Sequence, residues 1–186
     1  MKENREPRAD RIEVRVAHTA ELDARDLAEA RALLYRVFDD MAEDDWEHSL
    51  GGMHALVREG GLVVAHASVV QRRMVHRGRA WRVGYVEGVG VERRLRRQGY
   101  GAAVMAALEG VIARGYDFGA LAATDEAMEF YASRGWRRWQ GPTSALTPAG
   151  IVRTEDADDC LFVLQGDAPL DRTGELTCDW RDGDVW

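Results

Sequence analysis

Apolar and charged residues alternate in the first part of the chain that carries a clear structural pattern. From Arg11 to Val16, every second residue is apolar and its neighbours are charged. This period-two pattern predicts a half-buried strand. His18 and Thr19 follow, and Thr19 is the expected N-cap of a helix because its hydroxyl oxygen can accept a hydrogen bond from a backbone N–H group of the first turn.

Two helices are predicted after this strand. Apolar residues recur at helical spacing along the segment that begins at Leu22, and they predict an amphipathic helix. The residues of this apolar face are Leu27, Leu33, Leu34, Val37 and Phe38. An acidic segment from Asp39 to Asp45 follows, and a second, short helix is expected around Trp46.

Three segments with the composition of strands come next, namely Met53 to Arg58, Leu62 to His76 and Trp81 to Val91. They are rich in valine and aromatic residues, which favour strands. The separators Glu59-Gly60-Gly61 and Arg77-Gly78 are typical of tight hairpin turns. An antiparallel meander is the simplest arrangement of these strands.

The second half of the chain alternates between helical and strand patterns. The expected elements are a helix over Ala102 to Arg114, a strand over Tyr116 to Ala122, a short helix over Asp125 to Ser133 that stops at Gly135, a strand over Trp136 to Trp139, and a last strand over Cys160 to Leu164. Pro142, Pro148 and the polar run from Thr154 to Asp159 predict a loop before that last strand. Together these elements predict a mixed α+β domain whose sheet has two parts.

The bulk composition is that of one folded domain. A length of 186 residues allows a sizeable core, and 46% hydrophobic with 31% charged residues is ordinary for a globular protein. The sequence contains no apolar run long enough to span a bilayer and no signal-peptide pattern, so a cytoplasmic protein without a membrane partner is expected. Cys160 and Cys178 have neither metal-binding nor disulfide spacing, which predicts free thiols and no metal site.

The formal net charge of −7 argues against nucleic acid as a partner, because proteins that bind nucleic acid usually carry a basic patch. A cationic ligand fits an acidic protein better. The charge alone does not decide this, since acidic residues also serve solubility.

A glycine-containing turn is the first candidate for a ligand site. The segment from Arg96 to Gly101 has the form R-x-x-G-x-G and lies between a predicted strand and a predicted helix. The N–H groups of a helix N-terminus, with glycines that let a ligand approach, can hold a pyrophosphate such as that of coenzyme A. From this pattern alone, an ordinary turn flanked by solvated arginines is an equally good interpretation. The spacing disfavours dinucleotides and ATP, whose glycine-rich loops differ.

The order of the elements is that of the GNAT superfamily of N-acetyltransferases, and longer blocks are more specific. These blocks are Asp45 to Leu56, Gly84 to Val89, Tyr131 to Trp136, Cys178 to Arg181 and Gly183 to Trp186. With them the chain resembles the aminoglycoside 2'-N-acetyltransferases. The resemblance covers residues 11–186, which are expected to form a single GNAT domain after a charged N-terminal extension of residues 1–10. It implies a mixed, mostly antiparallel central sheet flanked by helices, with a V-shaped opening for acetyl-CoA.

The resemblance implies acetyl-CoA as the co-substrate. The backbone groups of Val89 and Val91 are then expected to bind the pantetheine arm, and the turn from Arg96 to Ala102 the pyrophosphate. The cofactor-binding residues are therefore Val89, Val91, Arg96, Arg97, Gln98, Gly99, Tyr100, Gly101 and Ala102.

Three residues are expected to carry the chemistry. An alkylammonium resembles lysine, with a pKa of about 10, so acetyl transfer needs a base or a lowered substrate pKa. By resemblance, Glu87 is that base and acts through ordered water, and the terminal carboxylate of Trp186 takes part in proton removal or amine recognition. Tyr131 occupies the superfamily's position for the acid that protonates the leaving thiolate. From pattern alone, Glu87 could be a surface glutamate and Tyr131 a core aromatic residue. The sequence contains no nucleophile-and-base motif, so direct transfer is predicted.

Aminoglycosides carry several ammonium groups, so carboxylates are expected around the substrate. Two segments that the resemblance brings to the antibiotic contain Asp40, Asp45, Asp182 and Asp184. The backbone of Gly88 and Ala122 is expected to contribute as well. One position departs from the family's pattern: Ala157 stands where an aspartate is expected in an acidic loop, although Asp156 and Asp158 flank it. From pattern alone, each carboxylate could be a helix cap or a solvated loop residue.

Two other functions remain open at this stage. The first is an acetyltransferase of another amine, such as a polyamine, a cell-wall amino sugar or a peptide terminus. The second is a non-catalytic protein that binds an aminoglycoside or senses acetyl-CoA. The resemblance also implies a homodimer.

Overall fold

The computed structural model describes residues 12–186, so the N-terminal extension and Arg11 lie outside the described residues. The described chain divides into two compact units. The first unit consists of the residues up to Val70 together with Glu87–Val111, and the second of Gln71–Val86 together with Ile112–Trp186.

Residues 12–186 form ten strands and four α-helices. The strands are β1 (Arg15–His18), β2 (Met53–Glu59), β3 (Leu62–His76), β4 (Arg79–Val91), β5 (Phe118–Ala122), β6 (Arg137–Arg138), β7 (Thr143–Thr147), β8 (Gly150–Arg153), β9 (Leu161–Leu164) and β10 (Leu176–Cys178). The α-helices are α1 (Ala24–Val37), α2 (Glu43–His48), α3 (Tyr100–Gly115) and α4 (Met128–Ser133). The three strands of the predicted meander and both early helices are confirmed.

The start of the first unit differs from its prediction. The first strand occupies Arg15–His18, where it pairs antiparallel with β2, and not the segment from Arg11 to Val16. A 3-10 turn follows over Thr19–Glu21, and His18 is its N-cap. The prediction of Thr19 as the cap is therefore wrong. The Thr19 hydroxyl instead accepts a hydrogen bond from the Gly51 N–H group at 2.8 Å.

Helix α1 packs its apolar face into the core of the first unit. Asp23 caps the helix by accepting a hydrogen bond from the Asp26 N–H group at 2.7 Å. Leu34 is fully buried on this face. A Cβ atom at Gly88 or Gly90 would lie only 2.9 or 2.7 Å from a methyl group of Leu34. The two glycines of β4 therefore allow the helix to approach the strand closely.

The strands that lie wholly or in part in the second unit follow the order β6-β9-β5-β4-β3-β10-β7-β8. The pairs β4–β5 and β7–β10 are parallel, whereas β5–β9, β6–β9, β3–β10 and β7–β8 are antiparallel. The pairing of β4 with β5 joins residues 83–85 to residues 118–120, and both strands continue beyond the last of these pairs. The backbone groups beyond that point are thus not used in this parallel ladder.

Two predictions about the second unit are wrong. The segment before β9 was expected to be a loop, but Thr143–Thr147 and Gly150–Arg153 form the hairpin β7–β8, in which Pro148 lies in the turn. Gly150 has a φ of 117°, a conformation that favours glycine. In addition, β9 is not the last strand, because β10 follows it and pairs with β7. Short strands with weak alternation carry little signal, and pairing partners far along the chain stabilise them.

Three general predictions can be compared with the described residues. Cys160 and Cys178 are free thiols, as expected. Among residues 12–186, no helix is long and apolar enough to cross a membrane. The same residues contain no group of three or more His, Cys, Asp or Glu side chains arranged to hold a metal ion.

Candidate active site

The glycine-containing turn leads directly into helix α3, which begins at Tyr100. Arg97 and Gly99 both have positive φ angles, 59° and 92°, so the backbone reverses here before the helix starts. The first N–H groups of an α-helix have no partner within the helix, and its N-terminus favours negative charge. Arg96 and Arg97 are exposed beside it. The turn is therefore able to hold a pyrophosphate.

Strand β2 supports this turn from within the same unit. The Tyr100 hydroxyl donates a hydrogen bond to the Glu59 carboxylate. The Arg94 guanidinium lies 4.0 Å from the same carboxylate. Tyr100 is buried, so its ring fixes the start of α3 against the end of β2. These contacts give the turn a rigid support, which a preformed anion site needs.

Glu87 lies on β4 immediately before a break in regular strand geometry. Its side chain is half-buried, and its carbonyl oxygen accepts a hydrogen bond from the Ser68 hydroxyl at 3.5 Å. Gly88 has a φ of 55°. A Cβ atom there would lie 2.9 Å from the Ser49 hydroxyl oxygen. Both space and backbone conformation therefore require glycine next to Glu87.

The two candidate aspartates of the first unit have different surroundings. Asp40 is exposed in the connection between α1 and α2. Asp45 lies on α2, and its carboxylate accepts a hydrogen bond from the Ala42 N–H group at 2.8 Å. Asp45 thus closes the first turn of its own helix, the helix-cap interpretation that the sequence had left open.

A cavity of about 560 Å³ lies in the second unit. Its lining residues are Ala122, Arg153, Thr154, Glu155, Asp156, Ala157, Cys160, Asp184, Val185 and Trp186. It brings together three residues expected from the sequence, Ala122, Asp184 and Trp186. Asp182 is exposed and is not one of the lining residues. The carboxylates of Glu155, Asp156 and Asp184 outnumber the single guanidinium of Arg153, which makes the wall predominantly acidic.

The acidic segment around Ala157 divides its carboxylates between two roles. Asp156 lines the cavity, and Ala157 itself is buried in the wall. Asp158 instead pairs with Arg153 and accepts hydrogen bonds from the Thr143 N–H and hydroxyl groups at 3.0 and 2.9 Å. The hydrogen bond from Arg153 and those from Thr143 lower the pKa of Asp158 to about 2. Asp158 therefore stabilises the hairpin, and Asp156 is left to face the cavity.

Sequence reasoning missed most of this wall. The sequence pattern places Thr154 and Glu155 only in a polar loop, and Cys160 only at the start of a strand. The available signal was the density of carboxylates between residues 155 and 159, which a simple connection does not need.

Trp186 is held firmly in this cavity. Its indole N–H group donates a hydrogen bond to the Thr154 hydroxyl oxygen at 2.7 Å. Its backbone N–H group donates to the Asp184 carboxylate at 3.1 Å. Only 6% of the residue is exposed. Terminal residues are usually poorly ordered unless such contacts hold them.

Arg72 on β3 fixes the segment that leads to Trp186. Its guanidinium donates hydrogen bonds to the Asp179 carboxylate at 2.7 Å, to the Asp179 carbonyl at 2.9 Å and to the Val185 carbonyl at 2.7 Å. The same group lies 4.9 Å above the Tyr85 ring. The side chain is 4% exposed, so these interactions are shielded from water. Arg72 therefore holds the segment from Asp179 to Val185 in place at both of its ends.

Arg72→Met is expected to lower the free energy of unfolding by about 3 kcal/mol, because it removes three charge-assisted hydrogen bonds made by a buried guanidinium. Urea denaturation measures this change. The control is Arg73→Met, whose exposed side chain is expected to matter by less than about 0.5 kcal/mol. Equal stabilities of the two variants would contradict the role of Arg72.

Tyr131 lies on α4 and is buried among aromatic rings. Its ring centroid is 5.2 Å from that of Phe130, 6.2 Å from that of Trp136 and 6.5 Å from that of Phe162. Burial raises the pKa of Tyr131 well above its usual value. The phenol therefore stays protonated at neutral pH, a state in which it can serve as an acid. The aromatic core interpretation and the acid interpretation are both compatible with this position.

Comparison with known proteins defines the fold class first. A family model described as an acetyltransferase (GNAT) domain matches residues 18–139. The GNAT family N-acetyltransferase YhbS from Escherichia coli, solved in complex with CoA, superposes with a TM-score of 0.61 at 17% identity and covers 90% of this chain and 89% of that chain. ElaA from Escherichia coli gives 0.56 at 20% identity, covering 83% and 99%. Eis1 from Mycobacterium abscessus gives 0.58 at 17% identity, but this chain spans only 33% of its length and matches over 71% of its own. The predicted α+β GNAT fold is confirmed.

A sequence relative narrows the class. The aminoglycoside 2'-N-acetyltransferase of Mycolicibacterium fortuitum is 51% identical over 177 residues, which covers 92% of this chain and 91% of the relative. The chain belongs to this family of GNAT acetyltransferases. The resemblance drawn from the sequence blocks is therefore confirmed.

Proposed function

We propose that this protein transfers the acetyl group of acetyl-CoA to the 2'-amino group of an aminoglycoside, an activity that confers resistance to the antibiotic. The acidic cavity around Trp186, in a chain of this family, is the observation that carries the proposal. Its volume is large enough to hold part of a ligand that has several sugar rings. Its carboxylates suit the ammonium groups of such a ligand.

Acetyl-CoA is the proposed co-substrate. The turn from Arg96 to Ala102 holds its pyrophosphate through N–H groups at the start of α3 and through the arginine side chains. The backbone of Val89 and Val91 on β4 binds the pantetheine arm. The positive φ angles of Arg97 and Gly99 support this role, because left-handed residues next to right-handed ones form the backbone concavities that bind anions.

Glu87 is the proposed general base and acts through a water molecule. It removes a proton from the 2'-ammonium group, and the nitrogen lone pair attacks the thioester carbonyl carbon. The tetrahedral intermediate collapses when the C–S bond breaks, and the CoA thiolate takes its proton from the Tyr131 phenol. The nitrogen of the new amide then gives its remaining extra proton to the Tyr131 phenolate, and Glu87 releases to solvent the proton that it took, which restores the enzyme. The transfer is direct, without an acyl-enzyme intermediate.

Several residues are proposed to contact the substrate. They are the side chains of Asp40, Asp45, Asp182, Asp184 and Trp186, and the backbone of Gly88 and Ala122. Glu155 and Asp156 join them, since both line the acidic cavity. Ala157 stands where an aspartate is expected from the family pattern, so one carboxylate is absent here. The flanking Asp156 and Asp158 supply negative charge on either side.

Asp156→Asn is expected to raise the KM for an aminoglycoside about two- to fivefold with kcat nearly unchanged, because it weakens one screened charge pair. Steady-state kinetics at two salt concentrations measure this, and the difference should shrink at high salt. Asp159→Asn is the matched control, since Asp159 is exposed, pairs with Arg138 and does not line the cavity. Equal KM values for both variants would argue against Asp156 as a contact.

We also propose that residues 11–186 act as one catalytic domain, that the enzyme works in the cytoplasm, where acetyl-CoA is available, and that it forms a homodimer. The hairpin β7–β8 supports the last point, because Leu146, Ile151 and Val152 are large apolar residues that are exposed on it. Light scattering of the purified protein gives the oligomeric state directly.

Thiol release from acetyl-CoA tests the proposed activity. Rapid turnover is expected with gentamicin or tobramycin, and none with amikacin, which carries a 2'-hydroxyl group, or with spermidine. Preference for spermidine would favour an acetyltransferase of another amine. Binding of aminoglycoside without thiol release would favour a non-catalytic binding protein.

A further inference from the structure

A chain of hydrogen-bonded polar groups, with two buried histidines at its centre, crosses three strands of the first unit beside Glu87. The Thr19 hydroxyl oxygen lies 2.8 Å from Nε2 of His54, and Nδ1 of His54 lies 2.9 Å from Nε2 of His66. Nδ1 of His66 lies 2.7 Å from the carbonyl oxygen of Gly88. Both histidines are 0% exposed. The two imidazole rings are therefore shielded from bulk water.

The Gly88 carbonyl at one end, with both imidazoles neutral, fixes the direction of the hydrogen bonds in this chain. The Gly88 carbonyl can only accept, so His66 carries its proton on Nδ1. Its Nε2 must then accept from Nδ1–H of His54, and Nε2 of His54 accepts from the Thr19 hydroxyl. The Gly51 N–H group donates to the same hydroxyl at 2.8 Å. The Thr19 hydroxyl also lies 3.3 Å from the Gly52 carbonyl, but that carbonyl already accepts from the Thr19 N–H group at 2.9 Å, so one arrangement of protons satisfies all the groups.

The two histidines in this chain of hydrogen bonds stay uncharged at neutral pH. Burial, with a further contribution from the nearby charge of His18, lowers the pKa of His54 to about 4. Burial and the neighbouring His54 lower the pKa of His66 to about 3, against a small opposing effect of the hydrogen bond to Gly88. The other aromatic neighbour of His66 is Trp46, with ring centroids 6.2 Å apart, which carries no charge. Neither histidine is suited to proton transfer with substrate.

The Gly88 carbonyl accepts the last of these hydrogen bonds, and its orientation determines that of the next backbone N–H group. The carbonyl of Gly88 and the N–H group of Val89 belong to one planar peptide unit and point in opposite directions. Gly88 has a φ of 55°, which leaves this unit outside ordinary strand geometry. The hydrogen bond from His66 therefore sets the direction of the Val89 N–H group and the conformation of the residue next to Glu87.

We propose that Thr19, His54 and His66 form a positioning relay that holds the Gly88–Val89 peptide unit in the orientation needed for acetyl transfer. The proposal rests on the proposed function, because Glu87 and Val89 are the groups that the relay positions there. The histidines touch no substrate. Their role is to keep the left-handed conformation of Gly88 in place through an uncharged, fully satisfied network.

Two variants of His66 separate the relay from simple core packing. In His66→Asn the side-chain NH₂ group lies near the position of Nδ1 and can donate to Gly88, whereas His66→Leu has no donor. His66→Leu is expected to lower kcat about 10- to 100-fold through misplacement of the reacting groups, and His66→Asn to recover most of the loss. Equal kcat values for the two variants would overturn the proposal.

His76 offers a matched control for the loss of a buried histidine. It is 2% exposed, its Nδ1 lies 2.8 Å from the Glu175 carbonyl, and its Nε2 accepts from the Asp171 N–H group at 3.2 Å. His76→Leu is expected to lower the melting temperature as His66→Leu does, but to leave kcat unchanged. A similar fall in kcat for His76→Leu would show a general effect of destabilisation and overturn the proposal.

A double-mutant cycle shows whether the relay acts through Glu87. In a Glu87→Gln background, His66→Leu is expected to change kcat by less than about threefold, because the group that it positions is already lost. Fully additive effects would overturn this part of the relay. Unchanged turnover in Glu87→Gln alone would instead remove Glu87 from the proposed function.

An experiment that needs no turnover tests the relay independently of which amine the enzyme acetylates. The amide resonance of Val89 is followed by NMR while CoA is added, together with the imidazole nitrogens of the histidines. A full CoA-induced shift in wild type and His66→Asn, a reduced shift in His66→Leu, and Nδ1–H tautomers for His54 and His66 are expected. This result would support the relay even if no aminoglycoside were acetylated. Equal Val89 shifts in all three proteins, or the opposite tautomers, would overturn it.

Discussion

Glu87→Gln is expected to lower kcat for aminoglycoside acetylation by about 10²- to 10⁴-fold, the usual contribution of a general base. The substitution keeps the size of the side chain and removes only its ability to take a proton. The KM for acetyl-CoA should change little, because the phosphate turn and Val89 remain. The residual activity should rise with pH, since the fraction of free amine increases toward the amine pKa of about 10.

Glu92→Gln is the matched control for this prediction. Glu92 follows the end of β4, five residues beyond Glu87, and lies 3.3 Å from the Arg36 guanidinium. It has no part in the proposed chemistry, so its loss should leave kcat at the wild-type value. Stopped-flow or steady-state thiol release measures both variants. Activity of Glu87→Gln within a few fold of wild type would contradict its role as base.

Trp186→Ala is expected to reduce kcat/KM for the aminoglycoside by about 10²-fold, because it removes a buried anchor and misplaces the cavity wall. The indole lines the cavity, and its N–H group donates a hydrogen bond to the Thr154 hydroxyl oxygen at 2.7 Å. Trp186→Phe keeps most of the ring and loses this hydrogen bond, so a smaller reduction is expected. The KM for acetyl-CoA should stay the same in both variants.

Trp180→Ala is the control for the effect of losing a tryptophan from this segment. Trp180 is 46% exposed and does not line the cavity. Its removal should leave kcat/KM unchanged. If Trp186→Ala behaved like Trp180→Ala, the anchor at residue 186 would have no part in substrate binding.

The regular elements with strong periodicity could be predicted from the sequence. The strand Leu62–His76 has the predicted bounds, and helix α1 covers the predicted apolar face, because burial of one face imposes a clear pattern. The hairpin β7–β8 escaped prediction because its strands are short and one of them is exposed throughout. Its pairing with β10 depends on residues about 30 positions away, which local patterns do not register.

The candidate site, too, could be predicted from the sequence only in part. The phosphate turn could be located because glycines and arginines at a strand-to-helix junction have a local physical meaning. The different roles of Asp156 and Asp158 could not, since they depend on which carboxylate meets Arg153 in the folded chain. His54 and His66 were also missed, because each appears in the sequence as an isolated histidine in a strand. Only the pairing of β2 with β3 brings them together.

The position of the acetyl group on the product tests the central claim most directly. Tobramycin carries several amino groups, so an acetyltransferase of this family must choose among them. After complete conversion with acetyl-CoA, two-dimensional NMR of the purified product should show a single acetamide at the 2' position. An acetyl group on any other nitrogen, or a mixture of positions, would contradict the account.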